Sequence, residues 1–99
     1  MNIKINSLHF DADKKLEDFI TKKITKLTEK HSNITDIDVT LKLDNSQDRE
    51  NKVTEIKINA KGSEFFSKKQ SSSFEESTDE VTEALRRQLK KYKEKQINR

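Results

Sequence analysis

The sequence contains no cysteine, no proline and no tryptophan, and it has a single glycine, Gly62. Without cysteine, disulfide bonds and thiolate catalysis are excluded, and one glycine cannot build a glycine-rich phosphate loop. No apolar run approaches the roughly 18 residues that a membrane-spanning helix needs, and the first ten residues lack the charged-then-apolar layout of a signal peptide. We therefore expect a cytoplasmic protein without a membrane partner.

Composition and pattern point in different directions in this chain. Hydrophobic residues make up only 29% of the 99 residues and charged residues 39%, a balance that is typical of disordered chains. The apolar residues nevertheless recur with the periods of strands and helices. Length and pattern together predict one folded domain over residues 1–99.

Alternating apolar residues predict four strands. The clearest is the stretch "DIDVTLKL", residues 36–43, in which every second residue is apolar. A first strand is predicted from Ile3 to Phe10, with a bend after Ser7 because the alternation changes register there. Val53 to Ala60 marks a third strand, and Gly62 is expected to supply the positive φ of a hairpin turn into a short fourth strand.

Apolar residues at steps of three and four predict two helices. The first helix follows Asp11 or Asp13, either of which can cap its first turn. The last helix is expected to begin after the serines of "KQSSSFEES". The residues that face the core are Leu16, Phe19, Ile20, Ile24 and Leu27 in the first helix, and Phe74, Thr78, Val81, Leu85, Leu89 and Tyr92 in the last.

The order of these elements predicts an α+β fold, β-α-β-β-β-α. Each strand has one apolar side, so both helices should pack on one face of a four-stranded mixed sheet and leave the other face to solvent or a partner. The first two strands should be parallel and joined by a right-handed crossover, and the other pairs antiparallel. This is the order of a double-stranded-RNA-binding-domain-like fold with an added first strand.

Positive charge is concentrated at the end of the chain. Seven of the last fourteen residues, Arg86 to Arg99, are Lys or Arg and only Glu94 is acidic, so this segment carries +6 whereas the whole chain carries +3. Segregated charge indicates a partner, because solubility needs only net charge. Helical spacing also aligns Lys23, Lys26 and Lys30 along one edge of the first helix.

Rows of Lys and Arg bind RNA phosphates by ion pairing and counterion release, without reading sequence. The predicted RNA-binding residues are Lys22, Lys23, Lys26, Lys30, Arg86, Arg87, Lys90, Lys91, Lys93 and Lys95. The alternative is that these charges are solvated helix faces, in which Glu17, Asp18 and Glu29 pair with lysines of the first helix. Tyr92 borders the basic row and is interpreted as a core residue, with base stacking as the alternative.

Support for catalysis is weak in this sequence. His9, Asp11 and Asp13 alternate and could hold a metal together, but capping already explains an Asp at a helix start and no second ligand cluster is present. His31 is interpreted as a helix-end residue that interacts with terminal carbonyls. The serines 71–73 have no neighbouring base. We therefore expect no enzymatic activity, no metal, no cofactor and no small-molecule substrate.

Two segments carry a resemblance to a known family. They are "KKLEDFITKKITKLTEKHSNI", Lys14 to Ile34, and "EALRRQLKKYKEK", Glu83 to Lys95. Together with the strand order and length, they resemble the ribosome hibernation-promoting factor family, which includes the ribosome-associated inhibitor A proteins and the sigma-54 modulation proteins. The resemblance covers essentially the whole chain.

The resemblance implies binding to the small ribosomal subunit, in the channel between head and body and over the tRNA and mRNA sites. It implies a hibernation factor that silences translation in stationary phase or starvation. It also implies the short form of the family, which lacks the C-terminal dimerisation domain, and hence a monomer that does not pair ribosomes by itself. Two alternatives stay open: a general double-stranded RNA-binding module, and an adaptor that docks an acidic protein such as a transcription factor.

Overall fold

The structure is a computed structural model that describes residues 2–44 and 49–97, with side chains up to Glu94. Its elements are β1 (Asn2–Leu8), α1 (Lys14–Thr28), β2 (Ile34–Leu43), β3 (Lys52–Ala60), β4 (Ser63–Ser71) and α2 (Phe74–Ile97). This order confirms the predicted β-α-β-β-β-α arrangement. The middle of the predicted connection between the second and third strands, residues 45–48, lies outside the described residues.

The four strands form one sheet in the order β1-β2-β3-β4. β1 runs parallel to β2, with Ile5 opposite Val39, and the two other neighbouring pairs are antiparallel. Opposed residues point to the same face, so Val39 and its β3 partner Ile56 both lie in the core and are fully buried. Gly62, with φ 80°, forms the turn from β3 to β4. The sheet is thus mixed, as predicted.

Both helices pack on one face of this sheet and enclose a single apolar core. Ile20 and Ile24 of α1 and Val81 and Leu85 of α2 are fully buried, at positions that the helical period assigns to the core. The two helices also contact each other directly. They therefore form one continuous layer, and the prediction of two helices on one face is confirmed.

Polar side chains define where the helices begin. Asp13 Oδ1 accepts a hydrogen bond from Leu16 N at 2.8 Å, so Asp13 rather than Asp11 is the N-cap of α1. Ser73 Oγ accepts a hydrogen bond from Glu76 N at 3.1 Å in the first turn of α2. Each cap satisfies a backbone N–H that has no partner within its helix.

The first strand ends earlier than the sequence predicts. β1 ends at Leu8, and the predicted continuation through Phe10 is wrong. His9 adopts φ 73°, a left-handed conformation that interrupts a strand. Phe10 consequently leaves the sheet and stacks on Phe74 of α2, with ring centroids 4.8 Å apart. The apolar residue that looked like part of a strand is a loop residue that packs on a helix.

The face of the sheet opposite the helices is mostly polar and electrically balanced, although Leu8 and Phe66 are also exposed on it. Lys42 Nζ lies 2.8 Å from Glu55 Oε2 on the neighbouring strand, and the hydrogen bond to Glu55 raises the pKa of Lys42. Lys57 pairs with Glu64 between β3 and β4 at 3.8 Å. The charged residues that the strand register places on this face are Lys4, Lys42, Lys57, Lys68, Asp36, Asp38, Glu55 and Glu64. Four cations therefore meet four carboxylates, and the face has no net charge.

Candidate nucleic-acid interface

A groove runs between the C-terminal end of α1 and the second half of α2, and its volume is about 420 Å³. The residues that line it are Lys26, Leu27, Glu29, Lys30, His31, Arg86, Lys90 and Lys93. Five of these eight side chains are cationic. We call this surface the interhelical groove, and it is the place where basic residues from both helices meet.

Most cations of the interhelical groove have no counterion among the side chains that the structure describes. The groove lysines that form no ion pair with any described side chain are Lys26, Lys30, Lys90 and Lys93. Arg86 Nη1 lies 3.1 Å from Glu83 Oε2 on the same helix. Glu29 is the one carboxylate among the eight lining residues. The groove therefore carries an excess of positive charge that a polyanion can neutralise.

Helical spacing explains why these side chains converge. Arg86, Lys90 and Lys93 repeat at steps of four and three along α2 and thus lie on one side of it. Lys26 lies in the last turn of α1, and Lys30 follows two residues after the end of this helix. The apolar faces of both helices are fixed on the sheet, and the contact between α1 and α2 brings the two sets together.

The basic surface continues from the groove along α1. A second depression, lined by Phe19, Lys22, Lys23 and Lys26, shares Lys26 with the groove. Lys23 Nζ lies 2.7 Å from Asp79 Oδ1 of α2 and 5.6 Å from the centre of the Phe19 ring. Lys23 therefore joins the two helices, and its charge is partly compensated, whereas Lys22 is exposed beside it.

Two predicted residues of α2, Arg87 and Lys91, do not line the interhelical groove. Arg87 borders another hollow, next to Lys69 of β4 and the carboxylates of Glu80 and Glu83. Lys91 is exposed on the same helix. The Lys95 side chain lies outside the described residues. The structure thus brings five of the ten predicted RNA-binding residues together in one groove and two more beside it.

His31 lines the interhelical groove, although the sequence predicted only that it lies at the end of the first helix. Its backbone N donates to the Thr28 carbonyl at 3.0 Å, which agrees with that interpretation. Its half-buried side chain also lines the groove. Burial lowers the pKa of the imidazole from its ordinary value of 6.5, and the positive charge of Lys93 lowers it further. The sequence signal that could have placed His31 in the groove is its position directly after Lys30, just beyond the end of α1.

Tyr92 lies at the end of the groove-forming part of α2 and is half-buried. Its ring meets Phe65 edge-on, with centroids 5.3 Å apart and an interplanar angle of 79°. Its hydroxyl accepts a hydrogen bond from Asn33 Nδ2 at 3.4 Å. These contacts agree with the interpretation of Tyr92 as a residue that packs against the core.

Two of the three residues of the metal-binding alternative have other roles in the structure. Asp13 caps α1, and His9 occupies the turn after β1. In the part of the chain that the structure describes, no three His, Asp or Glu side chains are grouped so that they could hold a metal ion. Neither described helix is long and apolar enough to cross a membrane.

Fold and surface together define an α+β domain that presents a cationic interhelical groove on one side and a neutral sheet face on the other, the type of surface that fits RNA. The family model described as sigma 54 modulation protein / S30EA ribosomal protein matches residues 3–97. The chain therefore belongs to this family. No curated protein sequence matches the chain at a significant level.

Two solved structures illustrate the shared fold. A ribosomal subunit interface protein from Coxiella burnetii is 20% identical, with a TM-score of 0.83 over 94% of this chain and 98% of that one. The N-terminal domain of Protein Y from Thermus thermophilus is 19% identical, with a TM-score of 0.80 over 93% of this chain and 99% of that one. At these identities the likeness concerns the fold.

Proposed function

We propose that this protein is a ribosome-associated translation inhibitor that binds the small ribosomal subunit over the tRNA and mRNA sites and silences translation during starvation or stationary phase. Membership of the sigma 54 modulation protein / S30EA ribosomal protein family supports a ribosomal role, as does the similarity in fold to a ribosomal subunit interface protein. It acts in the cytoplasm, as a monomer and without a cofactor or a small-molecule substrate. It has no enzymatic activity, because it inhibits by occupying the sites.

The observation that carries this proposal is the interhelical groove, where four lysines from two helices have no counterion among the described residues. Ribosomal RNA is a dense array of phosphates, and unpaired Lys side chains gain affinity for it by releasing its counterions. The groove cations are mostly lysines, which contact phosphates without reading sequence, so recognition depends on the shape of folded RNA. A folded subunit surface matches this requirement better than an isolated strand.

Cosedimentation of the protein with small subunits, large subunits and free duplex RNA at near-physiological salt tests the proposal. We expect saturable binding to small subunits that is lost when tRNA and mRNA are added. Equal binding to all three would instead identify a general double-stranded RNA-binding module. Binding to an acidic protein that survives nuclease treatment would identify an adaptor.

A matched pair of double variants tests the role of the groove. Lys26→Gln with Lys90→Gln removes two charges from the groove and should weaken small-subunit binding about tenfold or more. Lys4→Gln with Lys68→Gln removes the same charge from the opposite sheet face and should leave binding near the wild-type level. Equal losses in the two variants would mean that only the net charge of the protein matters.

A further inference from the structure

The interhelical groove contains one side chain that can change its charge near neutral pH. His31 lies at the end of α1, in the groove lined by the basic residues of both helices. Imidazole is the side chain whose ordinary pKa places its charge change in this range. The ring is half-buried between the two helices, so it would lie next to any phosphate that enters the groove.

The groups around His31 favour its neutral form while the groove is empty. The charged side chains that share the groove are Lys26, Glu29 and Lys30 at the end of α1, and Arg86, Lys90 and Lys93 on α2. Tyr92 is the other titratable group nearby, and its hydroxyl bonds Asn33 two residues after the histidine. Five cations against one carboxylate disfavour an additional positive charge, and burial acts in the same direction.

We propose that His31 takes up a proton when an RNA phosphate enters the interhelical groove, so that RNA binding strengthens as the pH falls. This inference rests on the proposed function, because the anion is a phosphate of the bound RNA. The phosphate neutralises the surrounding lysines and places a negative charge beside the ring. The protonated ring carries an N–H on both nitrogens and a positive charge, so it can donate charge-assisted hydrogen bonds to the phosphate. The neutral ring has only one N–H to donate.

The direction of the pH effect follows from linkage. In the free protein, burial and Lys93 lower the pKa of His31 below 6.5. In the complex the phosphate raises it, so binding consumes a proton between the two values. The extra affinity is fully present below the pKa of the free protein and is lost as the pH rises through the pKa of the complex.

Nuclear magnetic resonance of the imidazole carbon-bound protons measures this change directly. The chain has only two histidines, and they lie at opposite ends of the parallel strands, since His9 follows β1 and His31 precedes β2. Titration of the free protein and of its complex with a duplex of about 16 base pairs should show a higher His31 midpoint in the complex. His9 reports changes unrelated to the groove. An unchanged His31 midpoint in the complex overturns the inference.

Binding assays at constant ionic strength provide the second measurement. From about pH 8 to about pH 5.5, the wild-type dissociation constant should fall by about three- to tenfold, because one unit of pKa difference corresponds to a tenfold change. His31→Gln should match the wild type at the alkaline end and gain much less affinity on acidification. His9→Gln should behave as the wild type. A full wild-type gain in His31→Gln overturns the inference.

The same assays with small subunits separate this inference from the proposed function. Binding of the duplex with a raised His31 midpoint, but no binding of small subunits, supports the inference and overturns the proposed function. Binding of small subunits with no gain on acidification that depends on His31 overturns the inference and leaves the proposed function standing, whether or not the duplex binds. Failure to bind either RNA overturns both.

Discussion

At the scale of single residues, the availability of a charge depends on partners that are distant in the sequence. Lys23 and Lys26 are three positions apart on α1, yet Lys23 is paired with Asp79 whereas Lys26 has no ion-pair partner among the described side chains. Helical spacing predicts which residues share a face. It cannot predict which cation meets a carboxylate from another element, so the basic set was predictable and its division into paired and unpaired members was not.

The cap of α1 allows a residue-scale prediction. Asp13→Ala removes the acceptor of the Leu16 N–H bond and should lower the free energy of unfolding by about 0.5–2 kcal/mol. Asp11→Ala removes the same charge two residues earlier and should cost much less, because the N-cap of α1 is Asp13. Urea unfolding, monitored by circular dichroism, measures the free energy of unfolding of both variants. Equal losses of stability in the two variants would mean that the carboxylate acts through the helix dipole and not through the hydrogen bond.

His31 allows a prediction on stability that is independent of RNA. Its pKa in the folded protein is lowered by burial and by Lys93, so the unfolded chain binds more protons as the pH falls through 6.5. The stability contribution of the neutral ring is present above that value and is lost as the pH falls through the lower pKa of the folded state. Urea unfolding across this window should show a smaller loss of stability on acidification in His31→Gln than in the wild type. Identical pH profiles would contradict the lowered pKa.

At the scale of elements, periodicity predicted where the apolar faces lie but not how elements end or protect their edges. The period of two located β2 and β3, and the period of 3.6 located both helices. The predicted end of β1 was wrong because His9 has a positive φ, a backbone conformation that the periodicity of apolar residues cannot reveal. Gln88 Nε2 donates to the Phe66 carbonyl on the edge strand β4 at 3.0 Å, a contact that helps to close this edge and depends on packing between distant segments.

The ion pair between α1 and α2 leads to a prediction in which a substitution strengthens binding. Asp79→Asn releases Lys23 and removes a carboxylate next to the basic surface. RNA affinity should rise by about two- to fivefold, with a steeper salt dependence. The side chains of Lys23 and Asp79 are 42% and 53% exposed, so the free energy of unfolding should change by less than about 1 kcal/mol.

Glu64→Gln is the matched control for Asp79→Asn. It makes the same change in net charge on the opposite sheet face, where Glu64 pairs with Lys57. Its RNA affinity should stay close to that of the wild type. A weaker affinity of Asp79→Asn would mean that the ion pair is needed to hold the two helices at the spacing that the groove requires.

At the scale of the whole molecule, the fold separates charges that the sequence mixes. A net charge of +3 on 99 residues gives no indication of a binding surface. The strand register neutralises one face of the sheet, while the packing of α1 on α2 concentrates unpaired lysines on the other side. The excess of Lys and Arg after Arg86 predicted that a basic surface exists. The alignment of Lys23, Lys26 and Lys30 predicted its counterpart on the first helix, but acidic residues are interspersed there, so only the structure shows which of these cations are paired.

This separation makes the salt dependence of RNA binding a test of the whole surface. Each phosphate neutralised contributes about −0.9 to the slope of log K against log salt concentration, so four groove lysines predict a slope of about −4. Lys26→Gln with Lys90→Gln should reduce its magnitude by about 2, and Lys4→Gln with Lys68→Gln should not change it. Fluorescence anisotropy with a labelled duplex at several salt concentrations measures the slope. Direct neutralisation of phosphates depends on where the lysines lie, whereas the long-range field depends mainly on the net charge. An equal reduction of the slope in both double variants would therefore show that RNA responds to the long-range field of the protein and not to the groove.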